Sequence, residues 1–332
     1  MSTVIDVHAH YLPEAAFDEM TSGIAVVSRV NDGDLHDCIE LNGMRVGTTA
    51  EQITSLDSML RAMDAVGVER RVISPPPFTY RYWSSPEDAL RLHRILNDAT
   101  AAAVAAHPDR FTGLATAPFQ APDAAIAELE RATRELGLSG VTVGTNIDGR
   151  TVAEDGPRDV LEHIVDLGVP VLMHPDFVPQ PRLASHYLIN LIGMPTESAI
   201  VLANLVVSGT LERLPDLRIC FVHGGGSFPA LLGRLDKGWN VRPETRASTS
   251  RPPSEQLSGV FFDSLTHSPR ALRYLIDLVG PEHVVVGTDA PFDVEEPDPV
   301  GRLRQCPGLT EAEEHEILAR SPLRWLHGER GQ

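Results

Sequence analysis

Near its start the chain reads IDVHAH (residues 5–10), an apolar strand pattern that ends in two histidines one residue apart. Side chains alternate along a strand, so His8 and His10 are expected on one face and the apolar Ile5 and Val7 on the other. In a sheet closed into a barrel, the apolar face would pack on helices and the histidines would face the interior. Two imidazoles at positions i and i+2 of a strand can chelate one cation.

Seven further apolar runs follow the first, each rich in Val, Ile, Leu or Phe. The eight predicted strands are residues 4–10, 70–74, 111–117, 140–144, 169–174, 218–223, 260–265 and 284–288. Helical patterns separate them, for example at residues 50–65, 86–106, 121–136, 157–167 and 269–279. Strands that alternate with helices predict parallel βαβ units, which form either a closed barrel or an open doubly wound sheet. The count of eight favours a (β/α)8 TIM-like barrel of the α/β class.

Two segments interrupt this alternation. Residues 20–49 contain the turn signals Asn31-Asp32-Gly33 and Asn42-Gly43, which predict a small β insertion after strand one, over the C-terminal mouth of the barrel. Residues 240–256 are rich in proline and predict a long loop before the seventh strand. No linker or repeat divides the rest, so residues 1–332 are interpreted as a single barrel domain.

The composition limits the partners and the compartment. The formal net charge is −18, and a surface this acidic repels phosphate backbones and anionic lipids, so neither nucleic acid nor a membrane is an expected partner. No run of 18 apolar residues occurs, so no membrane span is expected either. The unpaired spacing of Cys38, Cys220 and Cys306 and the lack of a signal-peptide pattern at the start predict a cytoplasmic protein with free thiols.

Three more chemically active side chains occur where predicted strands end. His174 ends the fifth strand, His223 ends the sixth, and Asp289 directly follows the eighth. In a barrel, the carboxyl ends of all strands meet at one rim, where the active site is built. Four strands that deliver His or Asp to the same rim are hard to attribute to chance, so these residues predict a metal centre together with His8 and His10.

Three imidazoles and one carboxylate suit Zn²⁺, and would also accept Fe²⁺, Co²⁺ or Mn²⁺. The predicted ligands, which leave one coordination position open for water, are His8, His10, His174 and Asp289. His223 is either a fifth ligand or a general acid/base. The acid/base role is favoured because the run Gly224-Gly225-Gly226 leaves it room beside the metal. The only lysine, Lys237, lies far from the fourth strand, so no carbamate bridge to a second metal is expected and one metal per chain is predicted.

Five longer motifs extend these observations to nearly the whole chain. They are IDVHAHYLP (5–13), YWSSPEDALRL (82–92), RFTGLATAPFQAP (110–122), HGGGSFPALLGRLD (223–236) and GTDAPF (287–292). With these motifs the chain resembles the decarboxylase branch of the amidohydrolase superfamily, and within it the α-amino-β-carboxymuconate-ε-semialdehyde decarboxylases. The resemblance implies a carboxy-lyase that uses one Zn²⁺ for the non-oxidative decarboxylation of a carboxylated muconate semialdehyde or a hydroxybenzoate-like acid.

The resemblance also implies roles for single residues. The four predicted ligands fall on the metal-binding positions, and Asp289 belongs to the catalytic set as well. His223 falls on the catalytic histidine that handles the proton together with a metal-bound water. Arg45 and Arg234 fall on two arginines that hold the substrate carboxylates, with Arg234 supplied by the neighbouring subunit of a homodimer that shares its active sites.

Some positions depart from the pattern of the resembled family. Asp176 and Phe177 follow His174-Pro175 where the family often has Trp. Ala290 stands where an aromatic residue is common, and Tyr187 stands in a region where the family tends to carry Trp. These positions are expected to line the pocket, so the exact substrate stays open. Weaker candidates for the site or its walls are His267, Asp263, Trp83 and Phe292.

Two other functions are compatible with the same residues. One is a hydrolase of the same fold that attacks a lactone or an amide with metal-bound hydroxide, since barrels host many chemistries. The other is a non-catalytic metal-binding protein with a structural or regulatory role, for which an open coordination position has no purpose. The HGGGSF segment and the two arginines favour the decarboxylase.

Overall fold

The computed structural model describes residues 3–20, 27–32, 35–42 and 44–328. Numbered along the chain, the strands are β1 (Ile5–His10), β2 (Val27–Asp32), β3 (Leu35–Leu41), β4 (Met44–Thr49), β5 (Arg70–Ser74), β6 (Phe111–Ala115), β7 (Gly140–Gly144), β8 (Val171–His174), β9 (Ile219–Phe221), β10 (Val260–Asp263) and β11 (Val284–Val285). Eight of them pair in the order β1-β5-β6-β7-β8-β9-β10-β11, and the pairs are parallel. A parallel bridge between Ala9 and Ala290 joins β1 to the segment after β11. The predicted (β/α)8 barrel is therefore confirmed.

Helices surround this sheet and connect its strands. They are α1 (Glu14–Met20), α2 (Ala50–Thr54), α3 (Leu56–Val66), α4 (Pro86–Ala106), α5 (Pro122–Glu130), α6 (Pro157–Leu167), α7 (Met194–Val207), α8 (Thr210–Arg213), α9 (Phe228–Val241), α10 (Pro269–Val279), α11 (Pro299–Arg304), α12 (Glu311–His315) and α13 (Ser321–His327). Three of the predicted helices, α4, α6 and α10, match residue for residue, because each opens on a proline, which suits the first helical turn. The helix predicted over residues 50–65 is divided at Ser55, whose hydroxyl caps α3 by accepting a hydrogen bond from the backbone of Ser58.

The barrel interior below the histidines is filled by apolar side chains. One buried cluster takes residues from seven of the eight barrel strands and from α13: Ile5, Val7, Val72, Leu114, Leu172, Cys220, Val222, Phe261, Val285, Trp325 and Leu326. Trp325 is fully buried, and its indole nitrogen donates a hydrogen bond to the carbonyl oxygen of Val171 at 3.3 Å. The helix α13 thus closes the barrel floor, opposite the rim.

The expected orientation of the apolar residues of β1 is wrong. Ile5 and Val7 point into the barrel rather than towards the helices, as their place in the interior cluster shows. The reason is a break in the pairing of β1 with β5 between Asp6 and Ala9, which is typical of a β-bulge. The bulge lets Val7 and His8 both face inwards, which strict alternation would forbid.

The predicted β insertion is present as a second sheet. Strands β2, β3 and β4 pair antiparallel in that order. Its buried side chains Val27, Ile39 and Val46 pack with Phe17 of α1 and Phe78 in a separate core cluster. Gly33 and Gly43, the glycines of the two turn signals, lie outside the described residues.

The loop predicted over residues 240–256 is confirmed in most of its length. Helix α9 extends to Val241, two residues into the predicted loop, and only the short 3₁₀ turns Pro243–Thr245 and Pro253–Glu255 follow. All three cysteines are buried, and none of them is in a disulfide.

One helical segment, Ile189–Val207, is long and apolar enough to cross a membrane by length and composition alone, with a mean hydropathy of 1.4. Most of it is α7, a helix of the barrel. Val201, Leu202 and Leu205 belong to the main core cluster between strands and helices. Its apolar composition therefore has an ordinary explanation in the core of the protein.

Candidate metal centre

The four predicted ligands come together at the carboxyl ends of the barrel strands. One ligand atom from each of His8, His10, His174 and Asp289 lies within 4.8 Å of the other three. The Nε2 atoms of His8 and His10 are 3.2 and 2.9 Å from Oδ1 of Asp289. All four residues are buried. Residues far apart in the chain thus form one compact donor set, as the sequence predicts.

The nitrogen atoms that face the centre of this set fit a metal. His174 donates from Nδ1 to the carbonyl oxygen of Pro175 at 2.7 Å, so its Nε2 presents a lone pair to the centre. His8 uses its Nδ1 in the same way towards Asp263. The Nε2 atoms of His8 and His174 are both buried without a hydrogen-bond partner. Buried lone pairs of this kind are costly unless a cation or a donor meets them, so the cluster could hold a divalent metal.

The electrostatics of the cluster also favour a cation. Burial lowers the pKa of His174 to about 3 and lowers the pKa of His10, so both rings are neutral, as a metal ligand requires. Burial alone would raise the pKa of Asp289, but His8 and the hydrogen-bonded histidines hold it well below its usual value. Burial alone would lower the pKa of His8, but Asp289 and Asp263 raise it to about 10. The cluster therefore stabilises a positive charge, which the His8 ring carries as a second proton on Nε2 until a metal would replace that proton.

His223 stands beside the four donors on a tight turn. Its φ is +56°, and the three glycines that follow all have positive φ, a region that other residues rarely adopt. A Cβ on Gly226 would lie 1.9 Å from the carbonyl oxygen of Pro195, so the turn also needs glycine for its close packing. His223 Nε2 is 3.5 Å from Oδ2 of Asp289. The predicted turn thus brings His223 to the metal position from the side.

Two cavities open onto the cluster. The larger, of about 400 Å³, is lined by His223, Asp289, Met194, His267 and Tyr274, among others. The smaller, of about 40 Å³, lies under the β insertion and is lined by Arg45, Phe78, Tyr187, Phe292 and Asp289, among others. The two share Asn190, Met194, Asp289 and Val294. A small molecule could therefore contact Asp289 from either side.

The two predicted substrate arginines differ in their position relative to the cavities. Arg45 is exposed on β4 and lines the smaller cavity. Arg234 is exposed on α9 and lines neither cavity. Neither side chain has a hydrogen bond or an ion pair with any residue that the structure describes. One chain thus brings Arg45, but not Arg234, to the candidate site.

The weaker candidates from the sequence also differ in how close they lie to the cluster and its cavities. The Phe292 ring lies 5.1 Å from the ring of His10 and forms a wall of the smaller cavity. Trp83 lies away from both cavities, with its ring 5.7 Å from the guanidinium of Arg81. Asp263, a weaker candidate in the sequence analysis, contacts His8 directly at 2.7 Å. The only sequence feature that indicates such a role is its position as a carboxylate at the end of an otherwise apolar strand.

Among the residues that depart from the family pattern, Phe177 and Tyr187 line the smaller cavity together with Arg45. Tyr187 has a φ of +59°. Asp176 and Ala290 line neither cavity. Phe177 and Tyr187 are therefore the departures most directly placed to select a substrate.

The chain was compared with protein families and with individual known proteins. The chain matches the amidohydrolase family over residues 5–327. It is 35% identical over 272 residues to the 2-amino-3-carboxymuconate-6-semialdehyde decarboxylase of Dictyostelium discoideum, across 81% of this chain and 76% of that protein. It is 33% identical over 259 residues to the gamma-resorcylate decarboxylase of Rhodococcus jostii, across 71% of this chain and 77% of that protein.

Solved structures share the fold at lower identity. A 5-carboxyvanillate decarboxylase from Novosphingobium aromaticivorans, complexed with manganese and 4-hydroxy-3-methoxy-5-nitrobenzoic acid, superposes with a TM-score of 0.84 at 20% identity. The superposition covers 98% of this chain and 96% of that one. This chain belongs to the amidohydrolase family. Its sequence relatives further identify it as a carboxy-lyase of that superfamily.

Proposed function

We propose that this chain is a metal-dependent, non-oxidative decarboxylase of a carboxylated muconate semialdehyde or a hydroxybenzoate-like acid. One observation supports this most strongly: the buried donor cluster shares Asp289 with a cavity that also presents His223. The relatives that are more than 30% identical are decarboxylases by name. The reaction needs a site that combines positive charge, carboxylate binding and a proton donor, and each has a candidate residue here.

The metal would be held by the four buried donors, with Zn²⁺ as the first choice and another divalent transition metal as the alternative. When bound, it supplies a Lewis acid that polarises substrate oxygens and stabilises developing negative charge. The protein itself keeps the donors dry and fixed. His174 is oriented by Pro175, and His8 by Asp263, so that each Nε2 points to the centre.

His223 is proposed to deliver the proton. When a carboxylate leaves as CO₂, the electron pair of the broken C–C bond stays on the substrate carbon, which must then gain one proton. His223 lines the larger cavity and directs Nε2 towards Oδ2 of Asp289. The proton would be held at this Nε2, where the ionised Asp289 stabilises it and the cavity gives access to the carbon.

Arg45 is proposed to hold a substrate carboxylate from within the same chain. Its guanidinium has no hydrogen bond or ion pair with the described residues, and it lines the same cavity as Asp289. Arginine can bind a carboxylate with two parallel hydrogen bonds. Phe78 and Phe292 in the same lining offer apolar surface for a planar, conjugated acid.

Arg234 is proposed to act on the site of a partner subunit in a homodimer. It lies on α9, which begins at Phe228 after the His223 turn, and it lines neither cavity of its own chain. Exposed apolar side chains also occur on α9 and on the adjoining helical segment Ile189–Val207, including Leu231, Ile192 and Ile200. A two-fold interface over this face would bury these residues and offer each site the arginine of the other chain.

The function is tested by incubating metal-loaded protein with a panel of carboxylated muconate semialdehydes, hydroxybenzoates, lactones and amides. CO₂ release that disappears after chelation and returns with Zn²⁺ or Mn²⁺ is the expected result. Ring opening or amide cleavage without CO₂ would instead identify a hydrolase on the same fold. Protein treated with chelator and reloaded with Ca²⁺ serves as a control, since this hard cation prefers oxygen ligands.

A further inference from the structure

Asp263, at the end of β10, connects two parts of the candidate site. Its side chain is fully buried, and its two oxygens have different hydrogen-bond partners. Oδ2 lies 2.7 Å from Nδ1 of His8. Oδ1 accepts hydrogen bonds from the backbone N–H groups of Gly224 at 2.7 Å and Leu265 at 3.1 Å. With two backbone donors and one ring donor, the carboxylate uses both of its oxygens as acceptors.

The contact with His8 determines which ring nitrogen can bind a metal. Burial alone would raise the pKa of the Asp263 carboxyl, but His8 lowers it, so Asp263 is ionised. An ionised carboxylate can only accept a hydrogen bond, so the ring nitrogen 2.7 Å away, Nδ1 of His8, must carry a proton. The lone pair is then on Nε2, the atom that faces Asp289 at 3.2 Å and has no hydrogen-bond partner. Asp263 thus holds His8 in the tautomer and rotation that a metal requires.

The contact with Gly224 fixes the turn that carries His223. Gly224 follows His223 directly, and both have positive φ. A Cβ on Gly224 would lie 2.8 Å from Cγ2 of Thr266, so the turn packs closely on the loop after β10. The hydrogen bond from Gly224 N to Asp263 therefore ties the backbone beside His223 to the same carboxylate that orients His8.

We propose that Asp263 is a positioning residue that holds the metal ligand His8 and the proton donor His223 in a fixed mutual arrangement. This rests on the proposed function, because it assigns Asp263 to the same reaction. A second buried carboxylate, Asp6, accepts hydrogen bonds from the backbone N–H of His8, from Thr288 and from Arg71, but it contacts no histidine ring and so orients none. Asp263 is the one carboxylate among the described residues with hydrogen bonds to both the His8 ring and the His223 turn.

The substitution Asp263→Asn tests this with little change in volume. An amide has one acceptor oxygen, so it cannot serve both the backbone N–H groups and the protonated Nδ1 of His8. If its oxygen keeps the backbone contacts, its NH₂ group faces His8 and forces the proton onto Nε2. The matched control is Ser264→Ala on the next residue, whose hydroxyl has only a long contact of 3.4 Å from Gly287 N.

The first readout is Co²⁺ binding, followed by visible absorption and by competition with a chelator, with no substrate present. Asp263→Asn should weaken Co²⁺ binding by about 10- to 100-fold and change the spectrum, as is typical when a hydrogen-bond partner of a metal ligand is lost. At saturating metal, kcat should remain reduced while KM changes little, because the amide can keep the contact with the His8 ring or with the His223 turn but not both. Ser264→Ala should match the wild type in both measurements.

Wild-type affinity, spectrum and kcat in Asp263→Asn would overturn the role of Asp263. If that variant does not fold, ¹⁵N-histidine NMR of the Zn²⁺-loaded wild-type protein decides the matter. The His8 signal, assigned by its loss in His8→Gln, should show a protonated Nδ1 and a metal-bound Nε2, and the reverse pattern would refute the proposal. Failure of the wild-type protein to bind Co²⁺ or Zn²⁺ at all would overturn the proposed function and this inference together.

Discussion

The two oxygens of Asp289 face different histidines, with Oδ1 at 2.9 Å from Nε2 of His10 and Oδ2 at 3.5 Å from Nε2 of His223. His10 belongs to the four-donor cluster, and His223 stands outside it at the wall of the larger cavity. Asp289 is thus the point at which metal binding and proton delivery meet in the proposed mechanism.

His223→Ala should therefore retain the metal but lose most turnover. Loss of a general acid of this kind typically reduces the rate by ~10²–10⁴-fold. Metal content by elemental analysis and initial rates of CO₂ release provide the two measurements. His267→Ala, a histidine in the wall of the same cavity with no contact to Asp289, is the matched control and should stay within a few-fold of the wild type. Loss of the metal from His223→Ala would make His223 a ligand instead.

The purified protein should contain one divalent metal per chain. The part of the chain that the structure describes contains a single cluster of three or more ligand-type side chains close enough to share an ion. Lys237, the only lysine, lies on α9, away from β7 where a bridging carbamate would have to form. Elemental analysis should give one equivalent, and His174→Gln should release it. Two tightly bound equivalents in active protein would contradict this prediction.

Subunit complementation should reveal shared active sites. His223→Ala and Arg234→Ala chains should each be inactive alone. After mixing in equal amounts with subunit exchange, half of the dimers are mixed, and one of the two sites in each mixed dimer has both residues intact. Activity should therefore return to about a quarter of the wild-type value, since an isologous interface exchanges the same residue in both directions.

The control for this experiment mixes His223→Ala chains with His8→Ala chains. His8 and His223 of any one chain both belong to that chain's own site. No mixed dimer then regains a complete site, so activity should not return. No recovery with Arg234→Ala, despite exchange shown by mass spectrometry, would place Arg234 in its own site or outside catalysis.

Much of the barrel and the metal cluster could be predicted because their signals are local. Each strand is a short apolar run, and His174 and Asp289 stand directly at strand ends, where the fold brings them to one rim. The bulge in β1 was missed because a one-residue shift in pairing leaves no trace in the sequence around Val7. The role of Asp263 was also hidden, since it depends on the approach of β10 to a histidine 255 residues earlier in the chain.

His93 should make the stability of the protein depend on pH. It is fully buried on α4, and its Nε2 donates to the carbonyl oxygen of Tyr80 at 3.0 Å. Burial lowers its pKa to about 4, whereas the unfolded chain takes up the proton near its ordinary value of 6.5. Below pH 6.5 the unfolded state therefore binds more protons, and the free energy of unfolding should fall by roughly 2 kcal/mol between pH 7 and pH 5 from this residue alone.

Urea unfolding of metal-free protein at the two pH values measures this effect. His93→Gln is the matched variant, because its amide can donate to the same carbonyl oxygen but does not titrate. The loss of stability on acidification should be smaller in the variant by roughly the same 2 kcal/mol. Parallel losses in both proteins would show that His93 is protonated as easily in the folded state as in the unfolded one.

The buried Trp325 also limits how molecules travel through this protein. Together with the apolar side chains of seven strands, it fills the barrel below the histidines. In the proposed reaction, the acid must therefore enter, and the CO₂ and the decarboxylated product must leave, through the two cavities that open onto the cluster at the rim. Movement through these cavities is then a step that can limit the rate independently of the bond-breaking chemistry.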